Sequence, residues 1–167
     1  MEKIILIKYG ELTTKKDNRN LFIKKIYDQL KLALSEYDID IIYTRDRMFI
    51  EPRKENIEQV VGIVKNIFGI HSIVIAYKVK TNIDTINESV LEIGSNIDFT
   101  TFKVETDRAD KSFPINSMDF SRQIGGLILK NIPNKKVDVH NPDYLMKIEI
   151  RHDYTYIYTK EIKALGG

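Results

Sequence analysis

The sequence predicts an α+β protein built as two lobes. Apolar residues recur at helical spacing in four stretches, and shorter apolar or alternating runs between them read as strands. The first six elements follow the order β-α-β-β-α-β and close near residue 77. A second series then opens with its own helix signal at Asn82 to Asp84.

Residues 3–9 are a short β-branched apolar run, read as a buried strand. Gly10 to Arg19 is polar and reads as a loop carrying Lys15, Lys16 and Arg19. Beyond Asn20, Phe22, Ile26, Leu30 and Ala33 recur at helical spacing. Ile39 to Tyr43 and Met48 to Ile50 read as two strands around a turn at Arg45-Asp46-Arg47. Asn56 with Gln59 resembles a capping box, followed by a stripe of Ile57, Val60, Val61, Val64 and Phe68 that Gly69 stops. Ile70 to Val79 is a further strand, which completes a ferredoxin-like βαββαβ domain over residues 1–77.

The second domain is expected over residues 78–167. Ile83, Ile86, Val90, Ile93 and Ile97 mark a helix, with Thr85 and Glu88 offering a capping box. Phe102, Val104 and Thr106 alternate with Lys103, Glu105 and Asp107 as in a half-exposed strand. Phe120, Ile124, Leu127 and Ile128 mark the last helix, and strands are expected at Val137–Val139, Leu145–Arg151 and Tyr154–Lys160.

Of the 167 residues 43% are apolar and 30% charged, an ordinary globular balance that argues against disorder. The net charge of +2 does not by itself announce a nucleic-acid partner. No apolar run approaches the roughly 18 to 20 residues needed to span a bilayer, and the N-terminal run is too short for a signal peptide. Cysteine is absent, which removes disulfides and thiolate chemistry and fits a cytoplasmic address without a membrane partner.

Catalytic motifs are missing: there is no phosphate-cradling Gly-rich loop, no nucleophile elbow and no H-E-x-x-H. His71, His140 and His152 are scattered without metal-ligand spacing, so neither a metal nor a catalytic residue is expected. The loop Gly10–Arg19 either meets a phosphate with backbone N–H groups and cations, or is a solvated loop. Arg45 and Arg47 sit on a turn, where exposed arginines are commonplace. Arg108, Lys111, Phe113 and Pro114 can grip a strand end by phosphate contact and stacking, or Phe113 folds back as a core plug. Gly125-Gly126 inside a helix implies close approach of a neighbouring strand or of an RNA backbone. Asn141-Pro142-Asp143 reads as a tight turn.

Taken together, these segments resemble a known family. Tyr9-Gly-Glu-Leu-Thr-Thr-Lys with Asn18-Arg19, Asp46-Arg-Met-Phe-Ile50 and Phe68-Gly-Ile-His71 resemble the N-terminal ferredoxin-like domain of the tRNA 4-thiouridine synthetases, which also supply sulfur for thiamine synthesis. Phe102-Lys-Val, Arg108, Phe113-Pro114, Ile124-Gly125-Gly126, Val137-Asp-Val-His-Asn-Pro-Asp143 and Ile148-Glu-Ile-Arg151 resemble an α/β THUMP domain. Gly166-Gly167 is similar to the start of the family's linker to its catalytic domain, and Lys16 stands where the family commonly has glycine.

The resemblance implies a division of labour. In that family a separate ATP-pyrophosphatase domain uses ATP with Mg to activate a uridine, and a persulfide, supplied through a cysteine desulfurase, replaces its oxygen. The two domains present would dock tRNA by its acceptor stem and 3′ CCA end, with no cofactor and no turnover of their own, as a monomer or a homodimer. The RNA-binding residues expected are Lys15, Lys16, Asn18, Arg19, Arg45 and Arg47 in the first domain, and Arg108, Lys111, Phe113, Lys135 and Lys136 in the second. The competing readings are a THUMP-type module of another tRNA-modifying enzyme, a small acyl-phosphate hydrolase using Arg19, and a small-molecule sensor or dimerisation module.

Overall fold

The computed structural model describes residues 1–9, 16–44, 47–53 and 56–164, with the backbone alone at 16 and 17. The elements are β1 (Glu2–Tyr9), α1 (Lys16–Ala33), β2 (Ile39–Tyr43), β3 (Met48–Pro52), α2 (Ile57–Val64), β4 (Ile70–Lys80), α3 (Ile83–Asn96), β5 (Thr101–Arg108), α4 (Ser117–Asn131), β6 (Lys136–Val137), β7 (Tyr144–Ile150) and β8 (Tyr154–Lys163). They group into two compact units, Lys3–Ala76 with Lys160–Gly167, and Met1–Glu2 with Tyr77–Thr159.

In the first unit the strands lie in the order β2-β3-β1-β4. Both β1 and β2 pair antiparallel with β3, Ile5 and Ile41 facing Ile50 from either side. One face of this sheet presents Ile5, Ile7, Met48 and Ile50 to Ile23, Ile26 and Leu30 of α1 and to Val60, Val61 and Val64 of α2. This is the split βαβ arrangement that the order of elements predicts.

Two helix boundaries in this unit differ from the sequence reading. α1 begins at Lys16, so the end of the expected loop is already helical and Arg19 lies in the first turn. Asn18 and Asn20 are exposed on this helix, and their polarity alone mimics a loop. α2 ends at Val64, capped at its start by Asn56 Oδ1 accepting the N–H of Glu58 at 2.9 Å. Phe68 is therefore off the helical stripe and 62% exposed. Gly69 is still required: its φ is +95°, and an added Cβ would stand 2.8 Å from Phe22 Cζ.

Residues 160–164, expected with the second domain, pack with the first unit. Ala164 N–H donates to the carbonyl of His71 at 3.0 Å. Glu161 accepts from Ser72 Oγ at 2.8 Å and Lys8 Nζ at 3.1 Å. Ile162 and Ala164 add apolar surface to the first core. β8 extends past the expected end at Lys160, and its last residues belong to this unit.

In the second unit the order is β8-β7-β5-β6, with β5 parallel to both β7 and β6 and β7 antiparallel to β8. Phe102, Met146 and Ile148 meet Ile86, Val90 and Ile93 of α3 and Phe120, Ile124 and Ile128 of α4. Asparagine starts both helices. Asn82 Oδ1 accepts the N–H of Thr85 at 3.1 Å, so the cap lies three residues before the expected Thr85. Asn116 Oδ1 accepts the N–H of Asp119 at 2.9 Å.

No neighbouring strand closes on Gly125-Gly126 among the described residues, and the close approach within this unit is at Gly94. A Cβ at Gly94 would stand 2.8 Å from Ile132 Cδ1, whereas one at Gly125 or Gly126 would meet nothing within 4 Å. Among the described residues no helix is long and apolar enough to cross a membrane.

Candidate nucleic-acid interface

Of the residues expected to bind RNA in the first unit, Lys15, Arg45 and the side chain of Lys16 lie outside the described residues. Asn18 is exposed and Arg19 half-buried, one residue apart on the first turn of α1. Arg47 is half-buried just before β3, where its carbonyl accepts the N–H of Thr44 at 2.8 Å and closes the β2–β3 hairpin. The Nε atoms of both arginines are shielded from solvent. Tyr9, at the end of β1, has its hydroxyl shielded as well, and burial pushes its pKa up to about 12 against the opposing pull of Arg19. Burial disfavours the phenolate and a neighbouring cation favours it, and here burial wins.

Next to this cluster is an open depression of about 510 Å³ lined by Asn20, Ile23, Lys24, Tyr43 and Thr44. None of these was singled out from sequence. Their signal is a helical row on α1 (positions 20, 23, 24 and 27) facing the end of β2, where the Tyr27 and Tyr43 rings lie 4.6 Å apart. Arg53 points its charge elsewhere, to Asp40 at 2.6 Å and Asp38 at 3.2 Å.

In the second unit Arg108 ends β5, and its Nη1 donates to the carbonyl of Phe113 at 2.9 Å. Phe113 itself is 5% exposed, its ring edge-on to Phe120 at 5.2 Å between centroids. It is the core plug of the two alternatives, so the ring offers no face to a base. Lys111 is exposed in the same loop. Lys135 is half-buried, with its Nζ 3.8 Å from the Phe99 ring centre and donating to the Phe99 carbonyl. Its charge is engaged in fastening the α4–β6 turn, while Lys136 is exposed.

Lys136 faces Thr101 at the start of β5, and Arg108 stands at its end. At about 3.3 Å per residue those two positions are roughly 23 Å apart. The five residues expected to bind RNA in this unit thus fall into two groups at opposite ends of a strand. Between them, beside β5 and the first turns of α4, runs an open groove of about 560 Å³ lined in part by Thr106, Ser117, Met118, Ser121 and Lys147.

The string Val137 to Asp143 is a scaffold. Asp138 accepts the N–H groups of His140 and Asn141, both at 3.0 Å, making the turn. Asp143 accepts the N–H groups of Thr100 and Thr101, both at 3.1 Å, and its own N–H donates to Thr101 Oγ1 at 2.8 Å. Backbone hydrogen bonds hold both carboxyls below the ordinary aspartate range. Among the described residues no cluster of histidine and acidic side chains could hold a metal ion.

These two units are the two halves of a known tandem. Residues 4–74 match the ThiI ferredoxin-like domain and residues 80–160 the THUMP domain. Over its whole length the chain is 44% identical to a probable tRNA sulfurtransferase of Thermoanaerobacter pseudethanolicus, of which it spans 44%. It is 40% identical over 98% of its length to that of Macrococcus caseolyticus, of which it spans 42%. Among solved structures, PH1313 from Pyrococcus horikoshii Ot3 superposes with a TM-score of 0.82 at 28% identity, covering 99% of this chain and 56% of its own. A 4-thiouridine synthetase–RNA complex with bound ATP superposes with a TM-score of 0.82 over 100% of this chain and 43% of its own, a likeness of fold at 23% identity. The chain thus carries a ThiI ferredoxin-like domain followed by a THUMP domain, and spans less than half the length of the tRNA sulfurtransferases it matches.

Proposed function

We propose that this chain is the tRNA-docking region of an ATP-dependent enzyme that makes 4-thiouridine and supplies sulfur for thiamine synthesis, receiving it through a cysteine desulfurase. The observation that carries the reading is the match of the whole chain, 44% identical, to proteins named probable tRNA sulfurtransferase. Cations on both units support it: Arg19 and Arg47 in the first, Arg108, Lys111 and Lys136 in the second. A-form RNA hides its base edges in a deep major groove, so phosphate contacts and an unpaired end are what such surfaces can recognise. The first unit docks the acceptor stem. The loop of Arg108 and Lys111 takes the 3′ CCA end, by charge and backbone contact instead of by stacking on Phe113. ATP and Mg act in the catalytic domain that the parent enzyme carries elsewhere.

The test is a gel-shift titration of the 167-residue chain with an intact tRNA and with the same tRNA trimmed of its CCA. Intact tRNA binding more tightly supports docking of the end. Equal affinities confine docking to the stem, and no binding of either overturns the reading.

A further inference from the structure

Among the described residues of the unit Lys3–Ala76, the Tyr9 hydroxyl is one of three shielded side-chain atoms that make no hydrogen bond. Tyr9 follows Ile7 by two positions on β1, so it shares the helix-covered face of the sheet with Ile5 and Ile7 and packs against their core. Its hydroxyl is closed off from water, and no hydrogen-bond partner stands within reach among the described residues. Buried polar atoms are nearly always satisfied, and the exceptions call for an explanation.

The surroundings supply one. Arg19, on the first turn of α1, is close enough to pull the phenol's pKa downward. Tyr43 also borders it, and joins the same row of the sheet through Met48 and Ile7. Tyr43 in turn lines the depression containing Asn20 and Lys24. A hydroxyl that can donate, a guanidinium beside it and an ammonium five residues further along α1 share one complementary ligand chemistry, an oxyanion on a chain of repeating negative charge.

We propose that Tyr9 and Arg19 form a subsite for a phosphodiester group of bound RNA, with Lys24 and Asn20 following the same strand through the adjoining depression. The proposal rests on the RNA-docking reading and adds a residue and a geometry to it. The hydroxyl has no acceptor among the described residues of the free protein, and acquires one when the Tyr9 side chain turns outward to meet RNA. Tyr9 thereby contributes to affinity at the expense of the free fold.

That division gives opposite signs for stability and binding, which a merely structural tyrosine does not. Tyr9→Phe is expected to keep or raise the melting temperature while weakening RNA binding about tenfold, the scale of one hydrogen bond to a charged group. Because the hydroxyl carries no charge, the salt dependence of binding stays unchanged in that variant, whereas Arg19→Gln lowers its slope by about one. In the double variant the two losses are less than additive, since both act on one phosphate. A lower melting temperature with unchanged affinity shows that the protein itself satisfies the hydroxyl, and overturns the proposal. Unchanged affinity in a fully stable Tyr9→Phe overturns it equally. If wild type binds no RNA, the docking reading itself fails; if wild type binds and Tyr9→Phe binds as well, only the subsite does.

Discussion

Arg108 Nη1 donates to the carbonyl oxygen of Phe113 at 2.9 Å, and this bond sets which way the loop after β5 faces. With the carbonyl held towards the end of the strand, the ring turns inward onto Phe120. Replacing Phe113 by alanine should therefore cost about 3–5 kcal/mol of unfolding free energy, the range for a buried aromatic. Urea denaturation measures it, and the loss should be the same with or without RNA. A stable variant that loses affinity only for CCA-bearing tRNA would restore the stacking role.

Gly69 and Gly126 should respond oppositely to alanine. Gly69 has φ +95° and Phe22 against the position of a Cβ, so Gly69→Ala should cost about 1–3 kcal/mol. Gly126 is exposed within α4 with nothing near its Cβ position, so Gly126→Ala should add up to about 1 kcal/mol through helix propensity. Thermal melts of the two variants check both signs. If Gly126→Ala is stable yet binds tRNA more weakly, the RNA backbone approaches α4 there.

Acid should loosen the β5–β6–β7 junction. The Thr101 and Thr100 N–H groups hold the Asp143 carboxyl below the ordinary aspartate range, and those of Asn141 and His140 do the same for Asp138. A depressed folded pKa means stability that is complete above the unfolded value, near 3.9, and lost as pH falls through the folded one. Unfolding free energy should thus fall below about pH 4. Asp143→Asn should start lower at neutral pH and fall less steeply in acid. An unchanged acid slope in that variant contradicts the assignment.

Much of this fold is legible in the sequence because each element carries its own period. The stripe Phe22, Ile26, Leu30 and Ala33 places the first helix, although its buried face runs through Ile23, Ile26, Leu30 and Leu34 and leaves Ala33 exposed, and the βαββαβ order leaves few ways to close a sheet. The boundaries are less legible, since the polar start of α1 and the turn through Phe68 depend on what lies across from them. The glycines show the same limit: sequence marks Gly125-Gly126, but only packing reveals that Gly94 is where two helices touch. Of the candidate site, the cations are visible as letters and their grouping is not. Lys136 and Arg108 belong to opposite ends of β5, Lys135 is held by Phe99, and Tyr9 carries no charge to draw attention to it.

That the chain docks tRNA through phosphate contacts is tested most directly by its affinity for one intact tRNA across a series of salt concentrations. With about four to six phosphates neutralised, log K should fall against log[salt] with a slope of roughly −3 to −5. A flat dependence, or no binding at low salt, would contradict it.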